Sequence, residues 1–533
     1  MAPGASSMLV RAARRALASS AATGGGAWRV CIVGSGPAGF YTADALLKGS
    51  PDVRVDILDR LPVPFGLVRY GVAPDHPEVK NVTERFTGIA RDARVRFAGN
   101  VRVADGAGLT VSVDELRARY DAVVLACGAD GDRALRLPGE GLRGVSSARE
   151  FVAWYSGHPD CARAGWDLSR HDTAIVIGQG NVALDVARVL TKRPAELAST
   201  DIASEALAAL ERSAIRRVIV TGRRGPLQAA FTTKELRELS KLDGVRLSVL
   251  LGCNADAGSH GTADDEGGAL SERALAALSG EADRPRRRQA ELLRKLWLES
   301  VGGGGVARQF EREIVLAFHM QPVGFEPAGV DAGARAGNGG EVAGELGAVR
   351  FERTQLSPDG RSAVGTGEYE RTPCGYAFRS IGYLPSALPG VPFDARRSLV
   401  PSAHGRVLGS ADAAAMPLPG LYCSGWYKRG PSGVVLSNIG DGAETAAAIL
   451  ADRAAGTLGA RAGTDGAARG GLDAEGDGSL RALLAGRGVR PVDFAGWERI
   501  DRHEREAGAA SGKRLRKVVA VEDMLRLARE ADD

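Results

Sequence analysis

The sequence predicts an α/β chain with two Rossmann-like dinucleotide-binding domains, the second inserted into a discontinuous first. Three features predict it: a glycine-rich turn at residues 34–39, a second at 178–183, and glycine-terminated strand segments that return after residue 374. With 533 residues, the chain also exceeds what one hydrophobic core usually serves.

The first strand is expected at residues 28–33, an apolar run that ends in Gly34-Ser35-Gly36-Pro37-Ala38-Gly39. Residues 40–48 read as a helix and 53–58 as a second strand with Asp59 at its end. This order is the βαβ setting of a G-x-G-x-x-G turn. Gly34 permits the tight turn, Gly36 lets backbone approach a diphosphate, and Gly39 lets helix pack close to strand. The diphosphate would rest on the helix N-terminus, where free N–H groups and the helix dipole favour anions. Asp59 is placed to accept from ribose hydroxyls.

A second copy begins at 173–177 and continues through Gly178-Gln179-Gly180-Asn181-Val182-Ala183 into a helical run at 184–190. Its closing strand, 217–221, comes later than the fingerprint expects, because a helical piece around 201–212 intervenes. An acid at the end of that strand would bind the 2′-hydroxyl of NAD. This chain has Gly222-Arg223-Arg224-Gly225 instead. Two guanidiniums favour the 2′-phosphate of NADP; the plain alternative is a solvated turn. One fold ending in an acid and the other in arginines suits a flavin plus a nicotinamide, so FAD and NADP(H) are the expected cofactors.

Residues 122–128, 376–382 and 420–425 read as strands ending in glycine, and 441–450 as a late helix. On this pattern residues 28–133 and 374–533 form the FAD domain and 134–373 the NADP domain. Residues 1–43 contain no Asp or Glu, and Arg11, Arg14 and Arg15 interleave with Ala, Leu and Ser. That composition predicts a transit peptide over 1–27, addressed to the mitochondrial matrix, with a plastid as the alternative and a disordered tail as the plainer reading.

The 69 basic and 65 acidic residues are too balanced for a nucleic-acid binder. No apolar stretch reaches the roughly 20 residues of a membrane span, although peripheral membrane association stays open. Six cysteines with no close pair speak against a metal site, a locally spaced Fe–S cluster or a dithiol. Cys31 and Cys127, inside apolar runs, read as small buried hydrophobes.

The segments 62–82 (PVPFGLVRYGVAPDHPEVKNV), 176–190 (VIGQGNVALDVARVL), 222–239 (GRRGPLQAAFTTKELREL) and 420–434 (GLYCSGWYKRGPSGV) resemble the adrenodoxin-type ferredoxin–NADP reductases. The resemblance runs to 488–501 and covers most of the chain after residue 28. It implies FAD contacts at Ala38, Asp59, Leu67, Val103, Trp426, Gly433, Val434 and Val435. NADP contacts are implied at Gln179, Gly180, Asn181, Val182, Arg223, Arg224, Glu235 and Gly433. Asp59 departs from the Glu common in the family. The implied activity takes a hydride from NADPH onto FAD and passes single electrons to a small acidic 2Fe–2S ferredoxin.

Within that frame His76 is a candidate for a proton network near the flavin, or a loop histidine satisfied by neighbours. Glu235 is expected near the nicotinamide, on a helix capped by Thr232 or Thr233; the plainer reading is an exposed carboxylate. Trp426 packs against a cofactor ring or simply in the core. Arg237 and Lys241, expected i and i+4 on one helix face, are docking candidates together with Arg284, Arg286, Arg287 and Arg288, or else solvated charges. Rival functions are an NADPH-dependent flavin reductase with another acceptor and a non-enzymatic NADP(H) or redox sensor. A disulfide oxidoreductase would need a dithiol, and an electron-entry subunit of a synthase would need cysteine clusters. Gly- and Ala-rich stretches near 254–283, 327–347 and 453–479 read as loop expansions. Deleting one should leave flavin content unchanged; loss of bound FAD on deletion of 327–347 would contradict this.

Overall fold

The structure is a computed structural model, and it describes residues 27–251, 284–301, 310–329, 344–412, 414–458, 471–473 and 478–530. Nearly all of the expected transit peptide, Cys253 and the stretch 254–283 lie outside the described residues. The chain divides into two compact units, Met1–Gly131 with Tyr383–Asp533, and Asp132–Gly382.

The first unit is built on a seven-stranded sheet. Strand Trp28–Val33 lies inside it, parallel to Val53–Leu58 on one side and to Ala122–Leu125 on the other. Val95–Ala98 extends the sheet beyond the former, and Pro417–Cys423 beyond the latter. Short antiparallel strands, Ser402–Ala403 and Arg406–Leu408, close that edge. The central strands are almost wholly apolar because helices and loops cover both faces. One face packs Val30, Ile32, Val55 and Ile57 against Phe40, Leu46, Ile449 and Trp497. The other packs Cys31, Leu58, Val123 and Leu125 against Leu116, Leu480 and Leu484.

In the second unit six parallel strands form the sheet. Thr173–Ile177 lies between Arg217–Gly222 and Tyr376–Arg379. Arg312–Phe318 and Val245–Leu251 follow on the first side, and Val145–Ser147 on the second. A three-stranded antiparallel sheet, Met320–Pro327, Leu346–Leu356 and Ala363–Pro373, completes the unit.

Four expectations need correction. Residues 374–382 belong to the second unit, because Tyr376–Arg379 pairs with Thr173–Ile177 rather than joining the first sheet. Cys127 is exposed, since its strand ends at Leu125; Cys31 is buried as expected. Helix Thr233–Leu239 stops at the Ser240 cap, so Lys241 does not share a helix face with Arg237. The stretch 327–347 is not all loop: Pro327 pairs with Leu346 at the end of a strand hairpin, and Leu346 is buried. Because paired strand ends lie close together, replacing residues 330–343 by a short glycine linker should leave FAD content and the melting temperature unchanged. Removal of all of 327–347 should lower the melting temperature by truncating the hairpin.

Candidate functional site: two glycine turns at the strand ends

In each unit the first glycine of the turn is held between two strand ends by the same pair of backbone hydrogen bonds. The Gly34 N–H donates to Leu58 O (2.8 Å), and the Ala126 N–H donates to Val33 O (2.8 Å). Correspondingly, the Gly178 N–H donates to Thr221 O (2.9 Å), and the Ser380 N–H donates to Ile177 O (2.7 Å). Both glycines have positive φ, 110° and 132°. A Cβ would stand 2.3 Å from Ala126 O at Gly34 and 2.1 Å from Ser380 O at Gly178, so no side chain fits at either position.

The second glycines behave in the opposite way. A Cβ at Gly36 or Gly180 would meet no non-neighbouring protein atom within 4 Å, leaving the backbone open on that side. Each is the N-cap of the helix that follows, Pro37–Gly49 or Asn181–Thr191, and neither helix has a side-chain cap or an acid in its first turn. Ser112, Ser147, Thr232, Ser479 and Asp493, by contrast, cap their helices with side-chain oxygens. Uncapped N–H groups beside an open glycine fit a diphosphate. The third position allows close helix packing: a Cβ at Gly39 would lie 2.1 Å from Gly34 O, while the second turn accommodates the fully buried Ala183.

The first unit gathers most of its expected residues around this turn. The Asp59 carboxylate accepts from the Ser35 N–H (3.0 Å) and hydroxyl (2.5 Å) with one oxygen, and from the Leu61 N–H (3.0 Å) with the other. It therefore braces the turn, with lone pairs remaining for a ribose. The Phe65 N–H donates to Ser35 O, and a Cβ at Gly66 would lie 3.2 Å from Gly36 Cα, which sets Leu67 beside the glycines. The Val101 N–H donates to Asp59 O (2.8 Å), two residues before the buried Val103. A Cβ on Gly425 would lie 2.4 Å from the Ala38 side chain, so the bend before Trp426 leans on the turn helix. The Trp426 indole donates to Ser432 O (3.1 Å) and its ring lies 5.5 Å from Tyr383, making it part of the loop that carries Gly433, Val434 and Val435. Val434 is exposed, whereas Val435 packs on the core. His76 is buried at the start of the one-turn helix Pro77–Lys80.

The second unit ties its turn to the segment that carries Glu235. Gln179 O accepts from the Ala230 and Phe231 N–H groups, and the Asn181 side-chain oxygen accepts from the Thr232 N–H (2.8 Å). Thr232 then caps helix Thr233–Leu239 through the Glu235 N–H (3.3 Å), settling which threonine is the cap. The Glu235 carboxylate lies 3.3 Å from the Arg188 guanidinium, so it is no free surface acid. Arg188, 2% exposed, also faces Asp185 at 2.7 Å and Glu238 at 3.9 Å. Removing one partner of such a buried pair costs about 3–5 kcal/mol. The backbone at Arg223 and Arg224 is pinned by donors from the Thr354 hydroxyl and the His319 N–H. Their side chains are exposed and make no ion pair among the described residues.

Some supporting residues were invisible to sequence reasoning. Asp441, on helix Ser437–Ala454, accepts from the Gly425 N–H and ion-pairs with Lys428 (2.5 Å), fixing the bend before Trp426. Arg188 does the same service beneath Glu235. Asp185, three residues before Arg188 on the same helix, is a local partner, but only the fold reveals Glu235 and Glu238 beside Arg188, or Gly425 and Lys428 beside Asp441. Burial pushes the Cys374 and Cys423 thiols up to about 12 and Cys31 well above its ordinary value, so none of these is a reactive thiol.

Residues 28–238 match the family described as pyridine nucleotide-disulphide oxidoreductase. The five described cysteines form no disulfide among the described residues. NADPH:adrenodoxin oxidoreductase, mitochondrial, of Salvelinus fontinalis is 44% identical over 506 residues, 94% of this chain and 91% of that protein. The protein of the same name from Homo sapiens is 43% identical over 504 residues, with the same shares. The solved structure of Mycobacterium tuberculosis FprA in complex with NADPH is similar with a TM-score of 0.76 at 35% identity, covering 94% of this chain and all of that one. With both glycine turns inside a match of this length and identity, the chain belongs to the NADPH:adrenodoxin oxidoreductase family.

Proposed function

We infer that this chain is an FAD-containing oxidoreductase that takes a hydride from NADPH and passes electrons singly to a 2Fe–2S ferredoxin. The observation that carries the reading is the pair of open, uncapped glycine turns with unlike strand ends, Asp59 in one unit and Arg223-Arg224 in the other. When bound, FAD accepts a hydride and releases electrons one at a time. The chain's own residues bind and orient. Relatives named mitochondrial, together with the acid-free arginine-bearing N-terminus, support a mitochondrial location, with the matrix as the compartment.

The first unit is the FAD domain, with Gly36 and the Pro37–Gly49 helix terminus holding the diphosphate, Asp59 the ribose, and Leu67, Val103, Trp426 and Gly433 to Val435 lining the ring and its approaches. The second unit is the NADP domain. Gly180, Asn181 and Val182 hold its diphosphate, and Arg223 and Arg224 the 2′-phosphate. Glu235, oriented by Arg188 and Thr232, faces the nicotinamide end. His76 serves the flavin side as a hydrogen-bonding group. The ferredoxin is acidic and docks through Arg237 and the exposed Arg284, Arg286, Arg287 and Arg288 at the start of helix Arg284–Val301, with the exposed Lys241 past the end of helix Thr233–Leu239 as a further basic group.

Ferredoxin-dependent cytochrome c reduction tests the reading. Activity should require both NADPH and an added 2Fe–2S ferredoxin; a protein that oxidises NADPH but ignores ferredoxin has another acceptor. Three sets of variants divide the site. G180A should fold and keep its FAD while its NADPH KM rises about ten-fold, because the new methyl occupies the open side of the turn. R223A/R224A should raise the NADPH KM about 100-fold or more and leave the NADH KM nearly unchanged, since charge-assisted bonds are worth about 1.5–3 kcal/mol each. An unaltered NADPH:NADH preference would return the arginines to the role of surface charges. R237E should raise the ferredoxin KM several-fold at low salt, converge with the parent at high salt, and leave NADPH-to-dye activity intact. A ferredoxin KM that ignores both the charge and the salt removes Arg237 from the docking surface.

A further inference from the structure

The segment that carries Leu67 contains an unfavourable bend, and the C-terminal part of the first unit grips it. Phe65 has φ 84°, in the left-handed region that side-chain-bearing residues rarely adopt, and Gly66 follows at φ 48°, ψ −125°. Conformations of this kind persist only where their surroundings over-determine them. The surroundings are supplied largely by residues 494–518. The Phe65 ring meets Trp497 edge-on at 5.8 Å, with Phe40 on another side at 5.6 Å. Trp497 also stacks on Arg69, whose guanidinium carbon lies 5.1 Å from the ring centre.

Two helical turns beyond Trp497, on the same helix Phe494–Ala510, the fully buried Glu504 ion-pairs with Arg69. The same carboxylate oxygen accepts from the Val518 N–H (2.8 Å), and Lys517 donates to Arg69 O (3.0 Å). One helix face and the strap behind it thus hold the bend and the one-turn helix Leu67–Tyr70 at three points. Burial disfavours the Arg69 charge, but the Glu504 carboxylate outweighs it and holds the guanidinium above its ordinary pKa. Apolar packing often equals a buried ion pair in stability. What the ion pair adds is location, since charge and hydrogen-bond direction fix where the guanidinium sits.

We propose that Glu504, acting through Arg69, is a positioning residue for FAD: the C-terminal helix and its strap clamp the Phe65–Gly66 bend against the Gly34–Gly36 turn and thereby set Leu67 at the flavin site. This rests on the reading that the first unit carries FAD. Ser35 O, which accepts from the Phe65 N–H, and Gly36 Cα, on which Gly66 rests, are the points where clamp and phosphate turn meet.

The test uses the purified holoprotein and measures FAD release by the fluorescence of freed flavin, together with the bound flavin's visible spectrum. E504Q should release FAD about ten-fold faster or more, as expected when a buried cation loses its partner. Its flavin absorption should shift, and its NADP⁺ affinity should stay at the parental value. R505A, an exposed ion-pair variant on the same helix, should behave like the parent. R69M/E504L removes both charges of the pair together, so it decides the matter if E504Q does not fold; it should fold yet release FAD faster with the same spectral shift. Parental FAD retention and spectrum in E504Q or in the double variant overturn the proposal, as does equal loss in R505A. A parent protein purified without flavin would remove the FAD reading itself, whereas a flavin-bearing parent with indifferent variants removes only the clamp.

Discussion

The structure depends first on a backbone constraint that occurs twice, the pinning of Gly34 and of Gly178 between the carboxyl ends of two parallel strands. In each case one hydrogen bond joins the glycine to the second strand, and a residue following the third strand bonds back to the first. The carbonyl of that residue, Ala126 or Ser380, then stands where a side chain would begin. Because the chain must turn sharply at that point, the next helix starts with its N–H groups directed out of the sheet. The following glycine leaves them uncovered. Binding of an anion is therefore a consequence of how the strands end and requires no charged side chain at the turn itself.

The two turns diverge in what lies at the end of the second strand. Asp59 spends both carboxylate oxygens on its own chain, at Ser35 and Leu61, so it stiffens the turn before any ligand arrives. Arg223 and Arg224 have fixed backbones, and their exposed guanidiniums make no ion pair among the described residues. A stiff, charge-satisfied turn suits a resident cofactor, while exposed cations suit a dianionic group that arrives and leaves with each cycle. On the proposed reading the same backbone device serves two kinds of ligand through a few residues at its margin. Beneath the second turn, Arg188 and Thr232 restrict Glu235 from two directions, one electrostatic and one through the helix cap.

The glycine turns, their strands and their helices were legible because each step follows from local pattern: apolar run, fixed glycine spacing, helix, second strand. Which sheet a strand joins was not. AVVLACG and YAFRSIG read alike, yet Ala122–Leu125 and Tyr376–Arg379 occupy the equivalent place in different units, and only long-range pairing separates them. The end of helix Thr233–Leu239 was missed for a different reason. Nothing in LREL-SKLD breaks a helix strongly, and the Ser240 cap depends on the turn that leads to Gly244 and the strand Val245–Leu251. Charges such as Arg188, Asp441 and Glu504 look like solvated helix residues in sequence, because Glu235, Lys428 and Arg69, the partners that give them their place in the site, lie on other elements. The family resemblance marked the expected cofactor contacts and left these supports unmarked.

The most direct measurement is anaerobic mixing of the flavin-loaded protein with NADPH or NADH, followed by addition of oxidised 2Fe–2S ferredoxin, with the flavin band and the ferredoxin band recorded together. Rapid bleaching of the flavin by NADPH and far slower bleaching by NADH, then loss of the oxidised ferredoxin band as the flavin colour returns, is the predicted result. Equal bleaching by both nucleotides, or a reduced flavin that leaves ferredoxin oxidised, would contradict the account.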